Sequence, residues 1–391
     1  MIVCSPPMLV YLDNAASTPP APEVVAAVAR ASTDLYANPS SAHGLGAAAA
    51  RALDEARAQV AALLHAQASE IVFTSGGTEA NALGLLGAAG VARGRHAIVS
   101  AIEHPAVLRS ADLLVQRGWD VTLVAPGRNG VVTAQDMAGA ARPETALAAV
   151  MLVNNELGTL QPVVEISRAL RADGRRLHLH VDAVQAAGLV PLDVGALGAD
   201  SLALSGHKVH GPKGTGALWL RRGARIGPLW DGGRQENGLR SGTENLPGWV
   251  GLGQAALLCR PAGAGAVAAL RDRLEEAIFA ALPQARPTVP PGTPRAPHIA
   301  SVRLPDLPAE PLLHALEARG VYASAGSACA SRTRGPSHVL AAIGVGDNEA
   351  VLRFSLSRLT TEQEIEAAAA ALTGAVPEVG SVVSLLKGRR R

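Results

Sequence analysis

Cysteine is scarce in this chain and irregularly placed. The three cysteines, Cys4, Cys259 and Cys329, are far apart, odd in number and never form a CxxC pair. This arrangement argues against a disulfide framework and against a structural zinc site. We therefore expect a reducing environment and no bound metal.

Long apolar runs and a targeting segment are also missing. No uninterrupted apolar stretch approaches the roughly 20 residues that span a bilayer. The opening residues, MIVCSPPMLVYLD, lack a basic region, and Pro6 and Pro7 interrupt their apolar run, so they do not resemble a signal peptide. The sequence thus predicts a cytoplasmic protein without membrane contact.

No excess of one charge sign is present. The chain has 35 Lys and Arg residues against 33 Asp and Glu residues, a formal net charge of +2. This balance gives no reason to expect nucleic acid as a direct partner. We interpret the basic cluster KGRRR at 387–391 as a solvated tail.

The arrangement of apolar runs indicates an α/β protein. One hydrophobic core rarely exceeds about 250–300 residues, so a chain of 391 residues predicts two domains. Short strand-like runs alternate with helical patterns, which is typical of βαβ units around a mostly parallel sheet. The expected strands are 70–75, 96–101, 120–125, 147–153, 177–183 and 199–205, and the expected helices include 47–65, 79–92 and 105–117.

The composition changes near residue 260, where we place the domain boundary. The stretch GAGAVA (263–268) mimics a dinucleotide-binding fingerprint, but no strand precedes it. We interpret it as a linker.

Polar residues follow several of the expected strands, and ligands of such sheets bind beyond the carboxyl ends of the strands. FTSGGTEAN (73–81) combines a strand, a glycine turn and a helix start, which suits an anion cradle or a simple turn. His104 follows the next strand and could be a helix cap. Asn154 and Asn155 could tie a loop or hold a substrate carboxylate. Asp182 ends a strand on the face of two histidines, where a closed set of metal ligands has little room.

Lys208 lies in the stretch SGHKVHGPKGTGAL (205–218), directly after an apolar run. The stretch fails the phosphate-loop pattern because Pro212 follows Gly211, and no G-x-S-x-G elbow occurs in the chain. A lysine in a desolvated pocket becomes an amine nucleophile. An amine, the Asp182 carboxylate and a phosphate cradle together match the requirements of pyridoxal phosphate.

Over nearly its whole length the chain resembles the cysteine desulfurases of the class V aminotransferase family, which are pyridoxal-phosphate enzymes of fold type I. The "GSAC" form of the cysteine motif resembles the subgroup that serves nitrogenase and iron–sulfur assembly. The motifs that carry the resemblance are YLDNAASTP (11–19), NPSSAHGLG (38–46), FTSGGTEAN (73–81), EHPAV (103–107), VNNELG (153–158), VDAVQ (181–185), SGHKVHGPKGTGAL (205–218), GLRSGTEN (238–245), AGSACAS (325–331) and LRFSLSR (352–358).

The resemblance implies a large cofactor-binding domain over 15–260, with helices on both faces of its sheet. It implies a smaller α+β domain formed by 1–14 and 261–391, which carries the cysteine loop. The chain departs from the family at DGGRQENG (231–238), where a triple glycine is more usual, and at Gly77.

The resemblance also implies the roles of individual residues. Lys208 binds the cofactor and moves a proton, Cys329 is the nucleophile, and His104 stacks on the cofactor ring. Asn155 and Arg353 bind the substrate carboxylate. The remaining cofactor-binding residues are Gly77, Thr78, Asp182, Gln185, Ser205, His207 and Thr243, the last reaching the phosphate of a partner subunit.

The implied activity converts L-cysteine to L-alanine and leaves the sulfur as a persulfide on Cys329 for an acceptor protein. The implied assembly is a homodimer. A selenocysteine lyase, an aminotransferase and a persulfide relay scaffold remain as alternatives. The sulfur atom must be taken up close to the cofactor and then given to another protein, which cannot enter that pocket. We therefore predict that residues 329–337 are mobile.

Overall fold

The computed structural model describes residues 9–259, 263–326, 337–346 and 348–388. The strands are β1 (Val10–Tyr11), β2 (Ile71–Thr74), β3 (His96–Ser100), β4 (Asp120–Val124), β5 (Thr145–Met151), β6 (His178–Asp182), β7 (Ser201–Ser205), β8 (Gly216–Leu220), β9 (Arg286–Pro287), β10 (Ile299–Pro305), β11 (Val321–Tyr322), β12 (Ser324–Ala325) and β13 (Glu349–Ser355). The α-helices are α1 (Pro22–Asp34), α2 (Gly44–Leu63), α3 (Gly77–Val91), α4 (Pro105–Gln116), α5 (Ala134–Gly139), α6 (Val163–Arg171), α7 (Val194–Leu197), α8 (Leu246–Leu258), α9 (Ala264–Ala281), α10 (Ala309–Glu317), α11 (His338–Ala342) and α12 (Glu362–Gly388).

A seven-stranded sheet forms the centre, in the order β2-β8-β7-β6-β5-β3-β4. Six strands run in one direction, and β8 alone runs opposite, pairing antiparallel with both neighbours. Strands β2, β3 and β7 are buried at every position, as expected for a sheet that is covered on both faces. The predicted α/β class with a mostly parallel sheet is confirmed.

A second, antiparallel sheet has the order β12-β13-β10-β9. Helices α9, α10 and α12 pack with it around a separate hydrophobic cluster that includes Leu274, Leu312, Phe354 and Leu372. The amino terminus joins this unit, since Val10 of β1 lies in the cluster and pairs with Val321. The residue boundaries of the two domains stay a prediction.

The interpretation of 263–268 as a linker is wrong for most of that stretch. Helix α9 begins at Ala264, and Val267 is buried in the second cluster. Alanine is the strongest helix former, and the burial of Val267 offsets the cost of about 1 kcal/mol for a glycine inside a helix.

Helix α12 has a stretch, Glu362–Leu386, that is long and apolar enough to cross a membrane by length and composition. Its Ile365, Leu372 and Val376 are buried in the second cluster. This is the pattern of a helix that packs on a protein core.

A buried ion pair joins three elements next to the β2 end. The Glu236 carboxylate accepts two hydrogen bonds from Arg57 of α2, at 2.6 and 2.7 Å, and one from the backbone N–H of Phe73, at 2.7 Å. The Arg57 guanidinium lies 4.7 Å above the Phe73 ring, which stacks on Trp249 of α8 at 4.9 Å. Since Glu236 also has a left-handed backbone (φ 46°), these contacts fix the turn that contains it.

Replacing Glu236 by alanine should destabilise the fold strongly. The change leaves Arg57 and a buried N–H without their acceptor, and losing one partner of a buried pair costs about 3–5 kcal/mol. Urea unfolding measures the change, with Glu276→Ala at an exposed site as the matched control within about 0.5 kcal/mol of the parent. Equal stability of Glu236→Ala and the parent would contradict this account.

Candidate active site

The carboxyl ends of the central strands border a cavity of about 730 Å³. This size suits a small organic ligand, since such sites usually measure about 300–1,000 Å³. Ten residues predicted from the sequence line it: Gly77, Thr78, His104, Asn155, Asp182, Gln185, Ser205, His207, Lys208 and Arg353.

Lys208 ends the short 3-10 turn that follows β7. Its ammonium group donates hydrogen bonds to the backbone oxygens of Ala15 and Ala16, the latter at 2.8 Å. The segment that arrives from β1 therefore supports the lysine at the cavity wall. The positive charge of Lys208 also helps to lower the pKa of His104 and of His207, after burial as the main cause.

Asp182, at the end of β6, is only 4% exposed. One carboxylate oxygen accepts from Asn81 at 2.7 Å, and the other accepts from the backbone N–H of Val184 at 2.9 Å. Asn81 in turn accepts from His180 at 2.8 Å. Burial lowers the pKa of His180 to about 3, so this histidine is neutral and adds no charge. The carboxylate is thus oriented by neutral groups.

The two histidines before Asp182 serve as structural partners. His178 and His180 both contact the Ser201 hydroxyl, at 2.7 and 2.8 Å, so the predicted shared face is observed. In the part of the chain that the structure describes, no group of three His, Cys, Asp or Glu side chains could hold a metal ion.

The glycine turn after β2 packs tightly against the end of β7. A Cβ atom at Gly77 would lie 2.7 Å from the Val184 side chain and 3.3 Å from Ser205 Cβ, so only glycine fits. Gly77 is the first residue of α3, and Thr78 is exposed beside it. The buried Ser205 hydroxyl has no hydrogen-bond partner among the described residues. A helix amino terminus with a spare hydroxyl suits an anion.

His207 flanks this anion cradle. Burial lowers the pKa of His207 to about 4, so its ring is neutral and can donate a hydrogen bond to an anion. Its Nδ1 lies 3.3 Å from the Ser17 hydroxyl.

His104 is the helix cap that the sequence suggested, and its stacking on the cofactor stays a prediction. Its Nδ1 accepts from the backbone N–H of Ala106 at 3.1 Å, which caps α4. The ring also borders the cavity. Burial lowers the pKa of His104, with a smaller opposing effect of Asp182, so the neutral ring carries its proton on Nε2.

Asn154 and Asn155, the paired amides after β5, have different surroundings. Asn154 ties the loop, donating to the Ile102 oxygen at 3.0 Å and accepting from the backbone of Glu156 and Leu157. Asn155 borders the cavity, as expected for a substrate-binding group.

Arg353 reaches the cavity from β13 of the second sheet. Its guanidinium donates to the Asn155 backbone oxygen and to the Asp13 carboxylate, both at 2.8 Å. Its Nε is buried without a partner in the described part of the chain. Asp13 and Asn81 are functional partners that the sequence reasoning missed, and only their place in YLDNAASTP and FTSGGTEAN marked them.

Two predicted residues are not in the described cavity. Thr243 is exposed and does not border it. Cys329 lies outside the described residues, as do nine of its neighbours within 327–336, and the predicted mobility of 329–337 stays a prediction.

The residues fit pyridoxal phosphate. The spare Ser205 hydroxyl and the α3 amino terminus suit its phosphate, Asp182 suits its ring nitrogen, and Lys208 supplies the amine that such cofactors require.

Comparison with known families agrees with this geometry. The profile of the family described as "Aminotransferase class-V" matches residues 10–368. The chain belongs to this family. A cysteine desulfurase of Trichormus azollae is 42% identical over 364 residues, covering 92% of this chain and 90% of that protein.

Solved structures are also similar. A "NifS-like protein" superimposes with a TM-score of 0.87 at 33% identity, covering 95% of this chain and all of that one. A structure titled "SspA in complex with cysteine" gives 0.78 at 36% identity over 90% of this chain and all of that one. The predicted family and fold type are confirmed, and since the family uses pyridoxal phosphate, so is the cofactor.

Glu103 is a buried carboxyl beside the site that the sequence reasoning did not single out. One oxygen accepts from the backbone N–H of Met151 at 2.6 Å, and the other has no partner within the described ranges. Burial, and secondly the Asp182 charge, raise the pKa of Glu103 to about 8. Glu103 is therefore protonated at neutral pH.

Glu103→Gln should flatten the pH dependence of stability. A pKa that is higher in the folded than in the unfolded chain stabilises the fold below the unfolded value of 4.5, and this contribution disappears as the pH rises to about 8. Between about pH 5 and pH 8.5 the parent should lose a few kcal/mol more than the variant. Urea unfolding at both pH values measures this, with Glu276→Gln as control. Parallel pH slopes would show that Glu103 is ionised in both states.

Proposed function

We propose that this chain is a cysteine desulfurase that converts L-cysteine to L-alanine and holds the sulfur on Cys329 as a persulfide. The observation that carries the proposal is the convergence of Lys208, Asp182 and Arg353 on one cavity beside an anion cradle. The names of the curated relative and of the cysteine-bound structure support the choice of substrate.

The central sheet would hold the cofactor. Lys208 would hold it through its amine, Asp182 would pair with the ring nitrogen, and Gln185 would bind the ring hydroxyl. The phosphate would be bound by Gly77, Thr78, Ser205 and His207. When bound, pyridoxal phosphate supplies an electron sink for the pair of electrons released at the substrate α-carbon.

The second sheet would hold the substrate. A planar guanidinium binds a carboxylate through two parallel hydrogen bonds, and Arg353 is already oriented by Asp13 and by the Asn155 oxygen. The half-buried Asn155 side chain completes the carboxylate site. These contacts hold the α-carbon near Lys208.

Lys208 and His104 would move the protons. With substrate bound, the Lys208 amine would take the proton from the α-carbon, and its bonds to Ala15 and Ala16 keep it at the cavity wall. His104 is neutral because its pKa is lowered, and it would accept a proton near neutral pH at Nδ1 by releasing the Ala106 N–H that this atom binds.

Cys329 would attack the substrate sulfur as a thiolate. The new S–S bond forms as the C–S bond breaks, and the electron pair left on carbon takes up protons to give alanine, so no oxidant is consumed. Burial raises the pKa of Cys259 to about 11, which makes that thiol a poor nucleophile. Ser337 borders the cavity and directly follows residues 327–336, which contain Cys329 and form the Cys329 segment.

The persulfide would then pass to an acceptor protein in the cytoplasm, in iron–sulfur cluster or thio-cofactor synthesis. An aminotransferase needs no nucleophilic cysteine, and no described contact favours that activity over desulfuration.

Three variants test the assignment. Lys208→Ala should lose the cofactor that borohydride fixes to the Lys208 peptide, and it should release neither alanine nor sulfide from L-cysteine. Cys329→Ser should keep the yellow colour and its change with L-cysteine, yet release almost no sulfide. Cys259→Ser is the matched control and should behave as the parent. Sulfide release by Cys329→Ser at the parent rate would disprove the nucleophile.

A homodimer with shared sites would explain the position of Thr243. Because Thr243 is exposed and away from the cavity of its own chain, its hydroxyl would bind the cofactor phosphate of the partner subunit.

Hybrid dimers test the shared site. Thr243→Ala should weaken cofactor binding about tenfold, as for one lost charged hydrogen bond. Mixed with Lys208→Ala protein at limiting cofactor, it should give hybrids with one site that carries neither defect, and sulfide release should exceed the mean of the two parents. Activity at that mean would place Thr243 in its own chain's site.

A further inference from the structure

Glu156 is a buried carboxyl group at the cavity wall to which the proposed chemistry gives no role. It follows β5 in the VNNELG loop, is 3% exposed, and borders the same cavity as Lys208. Its backbone N–H donates to Asn154 Oδ1 at 3.0 Å, and that amide is itself anchored to Ile102. These bonds hold the backbone of Glu156 in place.

The chain that follows the Cys329 segment is bound to this carboxyl group. Ser337 Oγ donates to Glu156 Oε2 at 2.6 Å, while it accepts from the backbone N–H groups of Val339 and Leu340 as the cap of α11. The next residue, His338, donates from Nε2 to the backbone oxygen of Glu103 at 3.0 Å. Two successive residues therefore hold α11 against the carboxyl edge of the central sheet.

The chain that precedes the Cys329 segment passes the same oxygen atom. A Cβ atom at Gly326 would lie 3.1 Å from Glu156 Oε2 and 3.4 Å from Leu340 Cδ1. The Gly326 N–H donates to the Val351 oxygen at 3.2 Å, which keeps the backbone there. Both ends of residues 327–336 thus lie at one oxygen of Glu156.

Capping of α11 does not require this carboxyl group. The Ser337 hydroxyl caps the helix as an acceptor, and its proton could be donated to water or to a neutral oxygen. Burial raises the pKa of Glu156 to about 7, against the opposing effects of the Ser337 bond and the Arg353 charge. The cap therefore does not explain why the Ser337 hydroxyl also donates to Glu156.

We propose that Glu156 is a positioning residue that holds the Ser337 end of the Cys329 segment at the cavity wall, beside Gly326 at the other end, and thereby places the thiol for attack on the substrate sulfur. This inference rests on the proposed function for its role in catalysis. The positioning itself does not depend on which residue is the nucleophile.

The test separates substrate binding from sulfur transfer. In the cofactor-loaded Glu156→Ala protein, the L-cysteine concentration that gives half of the absorbance change should stay within about twofold of the parent value. Persulfide formation on Cys329 should slow about tenfold, as for the loss of one hydrogen bond to a charged group. Glu156→Gln, whose amide oxygen can still accept from Ser337, should restore most of that rate.

A double-mutant cycle identifies the contact. Ser337→Ala should reproduce the slow persulfide formation, and the Glu156→Ala/Ser337→Ala protein should be no slower than either single variant, because contacting groups are not additive. Multiplied effects, or an equal loss of substrate binding and persulfide formation, would overturn the proposal.

The rate at which iodoacetamide alkylates Cys329 without substrate, followed by peptide mass spectrometry, reports on the surroundings of the thiol independently of catalysis. Its rate should change several-fold in Glu156→Ala and return in Glu156→Gln. If Cys329→Ser still released sulfide, the proposed function would fail while this readout still tested Glu156. Parent rates of alkylation in both Glu156→Ala and Ser337→Ala would overturn the inference alone.

Discussion

The Asp182 carboxylate is the charge around which the site is organised. Burying a carboxylate without a cation is costly unless hydrogen bonds satisfy it. Here Asn81 and the Val184 N–H supply those bonds, and His180 fixes the orientation of the Asn81 amide. Since these partners are neutral, the negative charge remains available to the cavity. Burial first, and the same charge second, raise the pKa of Glu103, and the charge partly opposes the lowering of the His104 pKa by burial.

Close packing of α3 on the sheet makes this arrangement possible. A Cβ atom at Gly84 would lie 2.4 Å from His180 Nδ1, so the helix can approach the His180 ring only with glycine there. Gly77, one turn before Asn81, fits against Val184 in the same way. The position of α3 on the sheet therefore sets two things: the Asn81 amide contacts Asp182, and the amino terminus of the helix lies at the anion cradle.

Sequence reasoning could identify the site because the carboxyl ends of parallel strands share one edge. Lys208, Asp182 and Asn155 each lie at the end of an expected strand or just after one, and each lines the cavity. The strand predictions near these residues differ from the structure by at most two residues at each end, since largely buried strands give a strong signal in the sequence.

What the sequence could not predict depends on contacts between distant residues. Asn81 meets Asp182 across 101 positions, and Asp13 meets Arg353 across 340. A single sequence contains no signal for such pairs. The division of roles between Asn154 and Asn155 was open for the same reason, because the direction of each side chain depends on the loop's tertiary contacts.

The two sheets divide the proposed chemistry between them. The central sheet supplies the residues for the cofactor, whereas β13 supplies Arg353 for the substrate. Arg353 pairs in register with Ser324 of β12, and Ser324 lies two residues before Gly326, the last described residue before the Cys329 segment. One pair of strands therefore carries both Arg353 and the chain that leads into the Cys329 segment. A shift of β13 would therefore move the proposed carboxylate-binding Arg353 and the chain up to Gly326 together.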